Sequence, residues 1–189
     1  MAENSPMMIT DAQVMRALAH PARLEIMERL NTTGTVVTAT EMAEQVGLSP
    51  SATSYHLREL AKFGLVEQAP SRGDGRERVW QSRTPGWSVS SAGAGPDVVA
   101  AERTLVEVYL DRDFARLRDW FARSDREPAE WREASVLSGS VLLLTVDELR
   151  QVDAAVRAAL EPYKRRDRFA DPPAGARTVA VHFAAFPVD

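Results

Sequence analysis

The sequence predicts an α+β chain in which three or four helices with a β-hairpin precede a long helix and a small α/β C-terminal unit. Three observations carry that reading. The first half holds short amphipathic helix patterns with their own start and stop residues, followed by two short extended runs around a Gly- and Arg-rich tip. A Gly-, Ser- and Pro-rich stretch, 84–97, then breaks the pattern. Beyond it comes the longest helical pattern of the chain, followed by alternating strand and helix patterns.

The elements follow in order. Val14, Ala17 and Leu18 give a helical stripe after a cap at Thr10 or Asp11, and Pro21 opens a second helix with Leu24, Met27 and Leu30 on one face. His20 precedes that proline, which restricts it away from helical geometry, so it shapes the turn. Thr40 is the expected cap of a third helix, with Met42, Ala43 and Val46 as its buried stripe and Gly47 as its end. Leu48 packs into the turn, Ser49 caps the fourth helix with Pro50 at its first position, and Gly64 stops it. Two helices joined by a tight glycine turn read as a helix-turn-helix.

On the fourth helix, a rotation of about 100° per residue puts Thr53, Leu57 and Leu60 inside, with His56 at the margin. Ser51, Ser54, Tyr55, Arg58 and Lys62 collect on the other side. Short hydroxyls, including the cap Ser49, permit close approach. Tyr55 and Arg58 are long enough to reach base edges or phosphates, and the helix N-terminus favours a phosphate nearby. An ordinary solvated face is the competing reading, and the residues that follow decide against it. Leu65–Ala69 and Glu77–Gln81 are extended runs separated by a tip in which Asp74 and Gly75 are turn residues. Such a hairpin directly after a recognition helix is a wing, with Arg72, Arg76 and Arg78 set against the DNA backbone or in the minor groove.

Residues 17–27 (Ala-Leu-Ala-His-Pro-Ala-Arg-Leu-Glu-Ile-Met), 48–60 (Leu-Ser-Pro-Ser-Ala-Thr-Ser-Tyr-His-Leu-Arg-Glu-Leu) and Gly64-Leu65-Val66 resemble the ArsR-type winged-helix transcriptional regulators over about Asp11 to Gln81. The resemblance implies a homodimer on a partly palindromic operator in double-stranded DNA, and repression relieved by a signal. The chain departs from the metal-sensing members, which use clustered cysteines or paired histidines and carboxylates. It has 0 Cys and 3 His, namely His20, His56 and His182. A thiolate metal site and a disulfide redox sensor are excluded, and neither a metal nor another cofactor is expected.

With 189 residues, 44% of them hydrophobic, the chain is long enough for a core of one or two domains. No apolar run approaches a membrane span and no basic segment leads into a hydrophobic one, so a cytoplasmic protein without membrane contact is expected. The excess of Ala and Arg over Lys suggests a high-GC bacterial genome. Net charge is −4, yet Ser49 to Arg83 holds six cationic against four acidic residues. That modest basic stripe implies few phosphate contacts per subunit and binding that depends on two half-sites held together. A scaffold that meets an acidic protein through the same face is the alternative. Nothing points to an enzyme: there is no phosphate-binding glycine loop, no cysteine nucleophile and no catalytic constellation.

The resulting organisation is a tail (1–9), the winged helix-turn-helix (10–83), a linker (84–97) and a C-terminal dimerisation domain (98–189). Trp87 is expected to pack back onto one of the domains. The long helix, Val98–Ser124, presents Val98, Ala101, Leu105, Val108, Tyr109, Leu110, Phe114, Leu117 and Phe121 on a broad apolar face. Leu105, Val108, Tyr109, Phe114 and Leu117 are the candidate dimer contacts. Beyond it, Val136–Leu144 reads as a strand, Thr145 to Glu148 as a capping box, Val146–Tyr163 as a helix ending in the basic run Lys164-Arg165-Arg166, and Thr178–Phe186 as a second strand. The two strands are expected to pair and lie against the long helix. This unit exceeds what dimerisation needs, which leaves room for a small-molecule effector among Tyr109, Trp120, Phe121, Trp131, Tyr163, Phe169 and Phe183. The simpler role for those aromatics is core packing.

Overall fold

The computed structural model describes residues 7–71 and 78–188. They form two compact units, 1–112 and 113–189.

In the first unit, strand β1 (Met7–Ile9) leads into helices α1 (Ala12–Leu18) and α2 (Pro21–Thr33). Asp11 is the α1 cap, its carboxylate accepting from the N–H of Gln13 at 2.6 Å and Val14 at 3.3 Å. His20 is the α2 cap, its Nδ1 accepting from the Ala22 N–H at 3.2 Å, with Pro21 at the first helical position. Strand β2 (Val37–Thr38) then precedes α3 (Ala39–Val46) and α4 (Pro50–Lys62).

The cap of α3 corrects the expectation of Thr40. Thr38 Oγ1 accepts from Glu41 N–H at 3.1 Å, and Glu41 Oε2 accepts from Thr38 N–H at 2.7 Å. This reciprocal pair needs an acidic or amide side chain three residues after the cap, which Thr38 has and Thr40, followed by Ala43, lacks. Gly47 closes α3 at φ 68°, a left-handed conformation that glycine adopts without a Cβ penalty.

Strands β3 (Val66–Ala69) and β4 (Val79–Ser82) pair antiparallel, with Gln68 opposite Trp80 and Ala69 opposite Val79. β2 pairs with β4 on its other side, giving the sheet order β2-β4-β3. A further strand, β5 (Trp87–Val89), pairs in parallel with β1. Residues 7–9 of the expected tail and 87–89 of the expected linker are thus joined in a two-stranded sheet. Trp87 packs against the core of this unit, as expected of it.

That core is one cluster, with Met15, Leu18, Leu24, Ile26, Met27, Leu30, Met42, Leu57, Leu60, Leu65 and Leu105 all buried. Helix α5 (Pro96–Arg123) adds Ala101 and Leu105 to it, flanked by Val98 and Val108. Asp97 pairs with Arg16, and Arg112 Nη2 lies 3.0 Å from Glu28 Oε2, tying α5 to α1 and α2. Leu105, expected at the dimer contact, is 1% exposed inside this core and is unavailable to a second copy.

The second unit departs further from expectation. It holds the end of α5, α6 (Ala129–Ala134), α7 (Val146–Leu160) and the short α8 (Arg165–Arg168). The capping box at α7 is present, with Glu148 N–H donating to Thr145 Oγ1 at 3.3 Å and Thr145 N–H to Glu148 Oε2 at 2.7 Å. α7 ends at Leu160, and a 3₁₀ turn, Glu161–Tyr163, separates it from the basic run, which sits in and before α8 rather than at the α7 terminus. Neither expected strand forms among the described residues: 136–144 and 178–186 belong to no helix or strand. A strand is defined by its ladder, and β-prone composition without a partner does not make one.

Candidate nucleic-acid interface

Helix α4 is positioned from both ends. Ser49 Oγ accepts from the Ala52 N–H at 3.2 Å, with Pro50 at the first position. At the other end Leu65 N–H donates to Leu60 O at 3.1 Å and Gly64 N–H to Ala61 O at 3.0 Å. This is a Schellman closure, and it requires the left-handed φ of 67° at Gly64. The turn delivers the chain directly into β3, so the wing's direction is fixed by the end of the helix that precedes it. Thr53, Leu57 and Leu60 are fully buried and lock the helix rotation.

The outward face is then determined. Ser51, Tyr55, Arg58 and Lys62 are exposed and Ser54 is half-buried among them. Ser49 and Ser51 hydroxyls lie 3.2 Å apart at the helix N-terminus. Arg58 Nε donates to Ser54 O at 3.2 Å on the exposed face. Lys62 is paired with Glu59, whose carboxyl is held below its ordinary pKa chiefly by that hydrogen bond, so Lys62 offers less positive charge than its position implies. At the foot of β4, Arg78 is exposed. Arg72 and Arg76, with Asp74 and Gly75, lie outside the described residues.

Sequence reasoning missed the support behind this face. The His20 and His56 rings pack with centroids 4.7 Å apart, and Tyr55 meets His56 edge-on at 5.4 Å. Both imidazoles have pKa values lowered first by burial, then by neighbouring cationic groups, Arg23 among them. His56 Nδ1, Arg23 Nε and Thr53 Oγ1 are buried without hydrogen-bond partners. Nothing in the sequence spacing brings residues 20 and 56 together; the packing of α2 on α4 does. Among the described residues no group of three or more His, Asp or Glu could hold a metal.

Residues 18–69 match the family described as a helix-turn-helix domain. This segment is a helix-turn-helix domain. With the β3–β4 hairpin it is a winged helix-turn-helix, a fold used by many DNA-binding transcription regulators. The ArsR-type motifs at residues 17–27, 48–60 and 64–66 fall almost wholly inside the matched segment.

No curated protein matches the chain. Among solved structures, NolR from Sinorhizobium fredii is 28% identical over 52% of this chain and 82% of its own, with a TM-score of 0.34. The homodimeric winged helix-turn-helix DNA-binding domain Mb0332 from Mycobacterium bovis, described as a possible ArsR-family transcriptional regulator, is 26% identical over 56% of this chain and 82% of its own, TM-score 0.34. The YusO protein from Bacillus subtilis is 17% identical over 79% of this chain and 82% of its own, again at 0.34. At these scores the overlays are partial, and the assignment of the helix-turn-helix domain rests on residues 18–69.

The proposed contacts elsewhere are arranged differently. α5 divides its apolar residues between two faces: Val98, Ala101, Leu105 and Val108 turn to the core, while Val99, Val106, Leu110, Phe114 and Phe121 stay exposed. The aromatic residues expected as core or pocket are not buried. Tyr163, Phe169 and Phe183 are exposed, and arginines stack on five of the rings, Arg112 on Tyr109, Arg123 on Trp120, Arg165 on Phe169, Arg168 on Tyr163 and Arg177 on Trp131. No helix among the described residues is long and apolar enough to cross a membrane.

Proposed function

We propose that the chain is a sequence-specific transcriptional regulator, a repressor in the cytoplasm, that binds a partly palindromic operator as a homodimer. The observation that carries this is the outward face of α4. A rotation fixed by three fully buried residues leaves Ser51, Tyr55 and Arg58 exposed and Ser54 half-buried among them, at the spacing by which a recognition helix reads the major groove. Arg72, Arg76 and Arg78 of the wing supply backbone or minor-groove contacts. Val108, Tyr109, Phe114 and Leu117 of α5 contribute to the dimer, and the homodimeric state of the Mycobacterium bovis domain supports that reading. Domain limits of 10–83 for DNA binding and 98–189 for dimerisation and an effector belong to the same proposal, as does relief of repression by a small molecule. In the dimer the two recognition helices are expected about one helical turn, ~34 Å, apart or at a multiple of that spacing.

The test is a pair of variants, Arg58→Ala and Arg76→Ala, assayed for operator binding and for dimerisation by sedimentation. Loss of operator affinity with the dimer intact supports the assignment. Full affinity in both contradicts it and favours a protein partner for this face.

A further inference from the structure

A line of rings runs from the outward face of α4 to the start of α2. Tyr55, 53% exposed, meets His56 edge-on at 5.4 Å, and His56 packs on His20 at 4.7 Å. His20 ends the line at a backbone group, its Nδ1 accepting from the Ala22 N–H at 3.2 Å to cap α2. That bond sets the proton of the neutral ring on Nε2, because a ring nitrogen that accepts carries no hydrogen. Protonation of His20 would put a donor where the cap needs an acceptor, and a cation at the positive end of a 13-residue helix. His56 is no better placed for charge. Both nitrogens of an imidazolium donate, and His56 Nδ1 is buried without a partner. The charged groups that face the pair are Arg23 of α2, which opposes protonation of both rings, and Glu59 of α4, which favours that of His56 but is already paired with Lys62. α1 and α3 also pack on α4, and among the described residues neither sets a charged group against the two rings.

We infer that His20 and His56 are positioning residues for the reading face of α4 and hold it only while both rings are neutral, so that acid lowers the preference for operator over other DNA. The inference rests on the DNA-binding reading above. In the neutral state the α2 cap, the ring pair and Tyr55 support one another in series; a proton on either ring breaks the cap or the ring contact and leaves Tyr55 without its support. Burial, ahead of the neighbouring cationic groups, holds both imidazoles below their ordinary 6.5, which places the change in the mildly acid range. By linkage, an operator that binds only the supported face disfavours the proton, and the proton disfavours that operator by the same factor. The added positive charge acts the other way on all DNA alike, since it attracts phosphates without regard to sequence. The quantity that isolates positioning is therefore the ratio of operator to competitor affinity, in which the charge effect cancels.

The test follows that ratio from about pH 7.5 to about pH 5.5, the range in which histidine titrates, at fixed salt, with the full chain, its own upstream intergenic DNA and competitor DNA of unrelated sequence. In the unsubstituted chain the ratio is expected to fall about fivefold, the size of one lost helix cap. The double variant His20→Asn, His56→Phe keeps a cap acceptor and a ring beside Tyr55 but has nothing to titrate, so its ratio is expected to stay nearly level over the same range. A ratio that stays level in the unsubstituted chain, or that falls as far in the double variant, would overturn the inference and leave the DNA-binding reading standing. No preference for any intergenic fragment at the upper pH would overturn both. A second measurement needs neither DNA nor a variant: in the free chain the nuclear magnetic resonances of the Tyr55 ring are expected to shift with the same midpoint as those of His56. Ring resonances that stay fixed while His56 titrates would overturn the inference.

Discussion

The two units meet the same demand, burial of apolar side chains, in opposite ways. In the first unit the predicted stripes of α1 to α4 find partners within the chain and, with the sheet and the start of α5, close one core. Residues 113–188 also carry apolar patterns, in α7 and in the β-prone segments 136–144 and 178–186, yet their apolar side chains stay exposed or half-buried. Amphipathic pattern therefore states that a face requires cover and leaves the identity of the cover unstated. For the first unit the cover is local; the second unit leaves its apolar side chains exposed.

The contrast predicts unequal responses to the same change. Leu60→Ala, at a fully buried position of α4, is expected to destabilise the N-terminal unit by about 2–5 kcal/mol, whereas Leu143→Ala, at a fully exposed position, should leave its unfolding midpoint within ~0.5 kcal/mol. Thermal and urea unfolding of the two variants checks this. Equal effects would show that the C-terminal unit has a core of its own.

Next in size is Arg58→Ala, expected to weaken operator binding by about 1–3 kcal/mol and to relax base preference at the positions it contacts. Lys62→Ala, already paired with Glu59, should change affinity less. Titration of labelled operator with both variants compares them; a larger loss at Lys62 would place the DNA toward the C-terminal end of α4.

The caps give a smaller effect. Thr38→Ala removes one arm of the reciprocal cap and is expected to cost about 1 kcal/mol, while Thr40→Ala should be near neutral. Urea midpoints decide between them.

The smallest effect expected is with pH. The folded pKa values of His20 and His56 lie below their ordinary 6.5, so the unfolded chain takes up protons first as pH falls. Their stabilising contribution is full above about 6.5 and declines below it, toward the lowered folded values. Melting temperature between pH 8 and 5 should therefore fall on acidification, and less steeply in His56→Gln. Parallel profiles would remove the histidine pair from that account.

Much of the first unit was legible because its signals are local. Pro21, Pro50, Gly47, Ser49 and Gly64 each act within one turn of chain, and the face of α4 follows from rotation alone. Thr40 was misread as a cap because its propensity equals that of Thr38, and only the acid three residues on separates them. β1, β2 and β5 were invisible: two or three residues long, each exists only through a partner far along the chain, as in the pairing of Met7 with Trp87. The His20 and His56 contact is likewise tertiary. The segments Val136–Leu144 and Thr178–Phe186 were read correctly as β-prone and wrongly as a sheet, because pairing depends on what lies alongside.

The most direct test of the central claim is binding of the purified full chain to its own upstream intergenic DNA, across a salt series and with excess competitor DNA. The account predicts tight, salt-sensitive binding to one fragment, weakened in Arg58→Ala. Binding no stronger than to competitor DNA at every salt concentration would contradict it.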